Sequence, residues 1–344
     1  MTTIYKDTLR LRGAPVDAPG NPQPFFRDPH PDLAVAWGDG FPEPARIGFG
    51  RETAFRILPY TKQDRYNRSL RDMEFSSIVL ENSFLRAELV PALGGRLWSL
   101  LDKREGRELL YRNPVFRPAN LAIRDAWFSG GIEWNIGRLG HSVHTCAPVF
   151  AGIVNPADSA FPEPCPVVRL WEFERQTRLF WRIECLLPED SPVLFVYVRI
   201  ENPDQEKKPL YWWTNAALPQ TEGKSPGKFP GARVLSATDE VIYIVPGTGK
   251  VKTMGGARLP DLPTLPGADA SYPAVSDYSN EYFFQNTVSP GKKYPWESVV
   301  YEDGYAYGEV STAPLVYRKL FCWGTGRGGR RWQDFLSLPG ERYL

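Results

Sequence analysis

Glu133, Asn135 and two of the chain's three histidines, His141 and His144, fall within one short stretch, SGGIEWNIGRLGHSVHT, from Ser129 to Thr145. Trp127 and Trp134 flank the carboxylate. Gly130 and Gly131 precede it, and without a Cβ the backbone there can turn sharply or lie against a ligand. A carboxylate in an apolar, glycine-rich setting is one that burial can poise as a general acid or base. Aromatic faces on either side suit a sugar ring. Glu133 and His141 are therefore the candidate catalytic residues. The competing reading of Glu133 is a structural carboxylate held by turn amides. On the catalytic reading, Glu133→Gln abolishes turnover or weakens sugar binding with little change in melting temperature.

The two histidines are read first as hydrogen-bond partners of a substrate, next as structural groups, and only distantly as metal ligands. Spacing i, i+3 on a loop is not diagnostic, and no other part of the motif supplies a zinc ligand. Four scattered cysteines contain no CxxC pair, so neither a zinc site nor a disulfide framework is indicated. No metal and no cofactor is expected. Arg96 follows Gly94-Gly95 and suits either a substrate hydroxyl, a catalytic carboxylate or a salt bridge between strands. In YWWTN, alternation puts Trp213 and Asn215 on one face of a strand and Trp212 and Thr214 on the other. One tryptophan then belongs to the core, while Trp213 can stack on a sugar and Asn215 can hold a hydroxyl. The candidate substrate-binding residues are Arg96, Trp127, Trp134, Asn135, His144, Trp213 and Asn215. GTGRGGRR (324–331) lacks the Lys-Ser/Thr ending of a phosphate loop and reads as a solvated hairpin tip.

These residues need a scaffold of strands. The 344-residue chain carries 33 prolines, 30 glycines and 11 tryptophans, a composition suited to short strands joined by tight turns. From Phe75 apolar and polar positions alternate. Ile78 and Leu80 mark one strand, Leu85 to Leu89 the next and Leu97 to Leu101 a third, followed by Leu109–Tyr111. Val167–Glu174 and Leu179–Leu187 read as a hairpin, then Val193–Ile200, a strand in Pro209–Pro219, a strand pair in Val234–Val245, and strands near 281–285, 297–308 and 319–323. Residues 247–277 read as a surface excursion. DTLRLR and RRWQDFLS are the only helical-turn candidates. Close spacing without a helical period argues for antiparallel β structure. Residues 1–72, rich in proline but also in aromatics, read as an irregular segment packed on a core spanning 73–344.

A net charge of +1 argues against a nucleic-acid binder, and no apolar run is long enough to span a membrane. The N-terminus has no apolar signal core, which points to a cytoplasmic protein. The oligomeric state is not legible.

Two stretches carry a resemblance. ENSFLRAELVPALGGRLWSLLDKREGRELLY resembles the opening of galactose mutarotase-like domains. NPVFRPANLAIRDAWFSGGIEWNIGRLGH and YWWTN resemble an uncharacterised bacterial family, classed as a domain of unknown function and often found ahead of tetratricopeptide repeats. The resemblance covers Phe75 to the C-terminus. It implies an all-β, galactose mutarotase-like β-supersandwich of antiparallel sheets with a sugar-sized cleft on a concave face. That family usually has two adjacent histidines, whereas here Gly140 precedes His141. Mutarotases carry a histidine near the Asn of the YWWTN strand. Trp212, Trp213 and Thr214 stand there instead, so the mutarotase acid is not carried over.

The function these readings favour is a carbohydrate-active domain, leading with glycoside hydrolysis or related sugar processing. A non-catalytic carbohydrate-binding domain and an aldose 1-epimerase-like activity are the alternatives, because function lives in the site rather than the fold. The resemblance also places a further glutamate just beyond Tyr343-Leu344. It therefore implies a domain cut short at its C-terminal end, with Glu133 lacking its catalytic partner.

Overall fold

The computed structural model describes residues 2–15, 39, 43, 69–116, 118, 130–136, 142–161, 165–219, 232–236, 240–244, 251–255, 271–272, 280–285, 295–312, 315 and 317–322. Among these residues the chain is antiparallel β structure apart from one short parallel pair, with three 3-10 turns and no α-helix. The strands through Trp212–Ala216 belong to one compact unit and those from Arg233–Ser236 onward to a second.

In the first unit, β1 (Thr3–Gly13), β2 (Arg71–Glu81), β3 (Leu85–Val90), β4 (Arg96–Asp102), β5 (Arg107–Glu108), β6 (Val115–Phe116), β7 (Ile132–Ile136) and β12 (Trp212–Ala216) form the large sheet. A second sheet is built from β8 (Phe150–Val154), β9 (Val167–Glu174), β10 (Leu179–Leu186) and β11 (Phe195–Glu201). The large sheet runs β12-β7-β4-β3-β2-β1-β6, with β5 pairing β4, and the smaller one runs β11-β10-β9-β8. The inward residues Leu89, Leu97, Leu170, Trp181 and Ile183 are buried. Close packing between the sheets shows at Gly95, where a Cβ would lie 2.7 Å from the Leu170 side chain. Polar ties join the same elements: Asn82 Nδ2 donates to the carbonyls of Pro188 (2.6 Å) and Ser191 (2.9 Å).

The second unit holds β13 (Arg233–Ser236), β14 (Glu240–Ile244), β15 (Val251–Gly255), β16 (Asn280–Gln285), β17 (Trp296–Val300), β18 (Ala306–Val310) and β19 (Tyr317–Cys322). They form a three-stranded sheet, β13-β17-β18, and a four-stranded sheet, β15-β14-β16-β19.

Several local expectations change. Residues 3–13 are not irregular, and DTLRLR is not a helical turn. They form β1, an eleven-residue strand paired along its length with β2. The reason lies in the period: Leu9 and Leu11 pack on the cluster of Val90, Leu93, Trp98, Phe116 and Cys146, while Arg10 turns outward to Glu74 at 2.8 Å. Leu109–Tyr111 is not a strand, and the pairing there stops at Glu108. Val234–Val245 holds two strands that do not pair with each other: β13 joins β17, and β14 joins β15 and β16. Residues 251–255, expected in a surface excursion, form β15. RRWQDFLS, GTGRGGRR and the chain end at Tyr343-Leu344 lie outside the described residues.

Candidate functional site

Two glycine pairs place the polar cluster. Gly131 has φ +67°, and a Cβ there would collide with the carbonyl of Leu97. Only glycine lets β7 lie this close to β4 in a left-handed backbone conformation. The Gly131 N–H donates to the Tyr111 carbonyl at 2.8 Å, and the Gly131 carbonyl accepts from Ala217 N–H at 2.9 Å. β7 is thereby pinned between β4 and β12. On the other side, Gly94 has φ +69°, and a Cβ there would stand 2.5 Å from the His144 carbonyl. Its N–H donates to the Ala147 carbonyl at 2.9 Å. That contact holds the 3-10 turn Val143–Cys146, in which the His144 N–H is capped by the Ser142 hydroxyl, and it sets the position of Thr145.

Glu133 is consequently in mid-strand rather than on a turn, and it is 3% exposed. Its Oε2 accepts from Arg96 Nη2 at 3.1 Å and from Thr145 Oγ1 at 2.9 Å. Its Oε1 accepts from Asn135 Nδ2 and from Asn215 Nδ2, each at 3.1 Å. Two donors on each oxygen occupy the roughly four lone-pair sites of a carboxylate. Arg96, 2% exposed, also donates to the Gly130 carbonyl and to Thr145 Oγ1, each at 2.7 Å. Thr145 thus accepts from the guanidinium and donates to the carboxylate, closing a ring of charge-assisted hydrogen bonds.

The register explains which side chains join the ring. Asn215 lies opposite Glu133, and Trp213 lies opposite Asn135, across the β7–β12 ladder. Directly opposed residues share a face, so Glu133, Asn135, Trp213 and Asn215 stand together, as the alternation in YWWTN requires. Trp213 and Asn215 are half-buried. Asn135 is 1% exposed, and its Oδ1 has no hydrogen-bond partner. The carboxylate fixes that orientation, because a flipped amide would point oxygen at oxygen. An unsatisfied buried acceptor costs about 1–3 kcal/mol.

Other candidates go elsewhere. Trp134 alternates to the opposite face of β7, where it is 5% exposed and its indole N–H donates to the Gly95 carbonyl at 2.8 Å. It is a core residue rather than a ligand contact, because the strand's period of two turns it away from Glu133. His144 turns toward the smaller sheet, with its ring centroid 6.2 Å from that of Trp181. Its Nδ1 lies 3.4 Å from Ser142 Oγ. Burial pulls its pKa below the ordinary value, with Glu172 and Glu174 acting the other way. Trp212 points to the opposite face of β12 from Trp213; it is half-buried too, and its ring centroid lies 6.4 Å from that of Trp181. His141 and Trp127 lie outside the described residues. Thr145, central to the ring, is the residue sequence reasoning missed. No local signal marks it, since its role comes from the Gly94 contact. Among the described residues no group of three His, Cys, Asp or Glu is placed to hold a metal ion.

The profile of the family described as Domain of unknown function (DUF5107) matches residues 53–344. The chain belongs to that family. A TPR-domain containing protein from Parabacteroides distasonis resembles it in structure, at 18% identity and a TM-score of 0.59 over 95% of this chain. The DUF5107 chain spans about half (53%) of that protein's length. A galactose mutarotase-like protein from Lactobacillus casei also matches, with 14% identity, a TM-score of 0.43 and coverage of 74% of this chain and 90% of that one. One from Clostridium acetobutylicum has 12% identity, a TM-score of 0.44 and coverage of 71% and 83%. The antiparallel all-β architecture expected of a galactose mutarotase-like chain is the one observed. No helix among the described residues is long and apolar enough to cross a membrane.

Proposed function

We propose that this DUF5107 chain binds a carbohydrate on the face shared by β7 and β12, with Trp213 as the stacking surface and Asn135 and Asn215 as hydroxyl partners. One observation carries this reading: a buried amide oxygen on Asn135 has no partner, and it stands beside a half-buried tryptophan and a second amide. Small-molecule sites combine an apolar face with a few convergent polar groups, and sugars offer both a C–H face and hydroxyls. Glu133 and Arg96 are positioning residues in this proposal. The carboxylate orients both amides and, with four donors on it, has no lone pair left to take a proton from a substrate. The same saturation favours binding over glycoside hydrolysis or epimerisation at Glu133.

The test is titration of the purified chain with a panel of hexoses and oligosaccharides, followed by ligand-observed NMR, with aryl glycosides assayed in parallel for turnover. Binding that weakens about tenfold or more in Trp213→Ala, without turnover, is the expected result. Absence of binding across the panel at millimolar sugar removes the proposal. Turnover that disappears in a folded Glu133→Gln variant restores the catalytic reading.

A further inference from the structure

The hydrogen-bond inventory of the ring narrows the ligand further, and the argument rests on the carbohydrate reading above. Arg96 is the cation of the ring, and it is already ion-paired with Glu133 at 3.1 Å, both being buried. The pair therefore presents no uncompensated positive charge. Each asparagine gives one amide N–H to Glu133 Oε1. Besides Arg96 Nε, an N–H on the cation already paired with Glu133, the buried side-chain atom of the described ring that makes no hydrogen bond is Asn135 Oδ1, which can only accept. A group that satisfies it must donate.

We infer that the site selects neutral sugars, through a hydroxyl that donates to Asn135 Oδ1, and rejects sugars carrying a carboxylate or phosphate at that position. An ionised carboxylate or phosphate dianion has no proton to give. It would set its oxygens against Oδ1 with Glu133 beyond, and among the described residues of the ring the cation it would meet, Arg96, is already paired with Glu133. A hydroxyl fits both halves of the requirement, because it donates to Oδ1 while accepting from a remaining amide N–H. The amide orientation that creates the selectivity is imposed by Glu133. Asn135 is thus the specificity-determining residue, and Glu133 acts through it.

The test uses the full chain and pairs of probes that differ only in charge: galactose with galacturonate and galactose 6-phosphate, and glucose with glucuronate and glucose 6-phosphate. Dissociation constants are measured at low ionic strength and neutral pH, with galactosamine and glucosamine as cationic controls. The expected result is that a neutral sugar binds at least about tenfold more tightly than its own anionic partners. Asn135→Ala should then bring the neutral and anionic affinities to within about threefold of each other, with melting temperature followed to verify folding. The wild-type panel stands without the variant if Asn135→Ala does not fold. An anionic partner that binds as tightly as its neutral parent overturns the inference and leaves the carbohydrate reading in place. A tenfold preference for an amino sugar overturns the neutral class in the same way. Unchanged selectivity in folded Asn135→Ala overturns the assignment to Asn135. If no probe binds, the carbohydrate reading itself fails and the inference goes with it.

Discussion

Replacing Glu133 with Gln should lower stability substantially, because it leaves the Arg96 guanidinium buried without its counter-charge. Both side chains are almost fully excluded from solvent, at 2% and 3% exposure. Breaking a buried pair by removing one partner costs about 3–5 kcal/mol. The low end applies to Gln. Its Oε1 can keep the contacts to Arg96 Nη2 and Thr145 Oγ1, and its Nε2 can donate to Asn135 and Asn215 once those amides flip. Asn135 Oδ1, unpartnered in the native chain, gains a donor by that flip. The lost charge therefore dominates, at about 3 kcal/mol, which in a unit of 150–250 residues lowers the melting temperature by about 6–12 °C. Thermal unfolding followed by near-ultraviolet circular dichroism measures this. A double variant, Arg96→Met with Glu133→Leu, should be less destabilised than either single change, since replacing both ions by apolar groups removes the uncompensated charge. A Glu133→Gln variant that melts within about 2 °C of the parent, yet loses sugar binding or turnover, would refute this account and return Glu133 to a catalytic role.

Gly131→Ala should cost about 2–3 kcal/mol, from the positive φ and the collision with the Leu97 carbonyl, and should weaken sugar binding by displacing β7. Urea unfolding and sugar titration of that variant measure the two effects, and parental stability would refute the close approach. His144, with its folded pKa lowered by burial, contributes stability that is fully present above the unfolded value of about 6.5 and is lost as pH falls toward the folded value. His144→Gln should flatten that decline in urea unfolding between pH 7 and 5, and an unchanged slope would count against the buried neutral imidazole. Glu297 stands opposite Glu309 on the β17–β18 ladder, and burial first and Glu309 second push its pKa up to about 8, against Arg318. Its stabilising contribution is complete below the unfolded value of 4.5 and is lost as pH rises through about 8. Glu297→Gln should therefore gain stability over the parent at pH 9 and match it at pH 4, as read by urea midpoints, and equal midpoints at pH 9 would contradict it.

How much of the site could be read in advance varies residue by residue. Alternation alone places Trp213 and Asn215 on one face and Trp212 on the other, and the β7–β12 register agrees. The same rule misplaces Trp134 when the stretch around it is read as a turn. Once Ile132–Ile136 is a strand, Trp134 must face away from Glu133, and its indole meets Gly95. β1 shows the opposite error. Leu9 and Leu11 carry a period of two with Thr8, Arg10 and Arg12 at the alternate positions, yet the proline-rich stretch that follows drew residues 1–72 into one irregular segment. Only the pairing of β1 with β2 and the core cluster around Phe116 give those leucines a place to go.

The sequence by itself determined the strand-rich class, the two glycine pairs where the backbone must turn or crowd, and the family to which the chain belongs. These follow from local rules: side-chain parity, turn chemistry and motif spacing. Tertiary structure decided what Glu133 does. Its partners are 37, 12, 2 and 82 residues away in the chain, and no periodicity links them. They meet because Gly131 brings β7 onto β4, Gly94 seats the turn bearing Thr145, and β12 completes the edge. A lone carboxylate between tryptophans reads as a catalytic acid. The same carboxylate with two donors on each oxygen is held in place by its neighbours, and the oxygen beside it that makes no hydrogen bond, on Asn135, is the group the proposed ligand hydroxyl would meet.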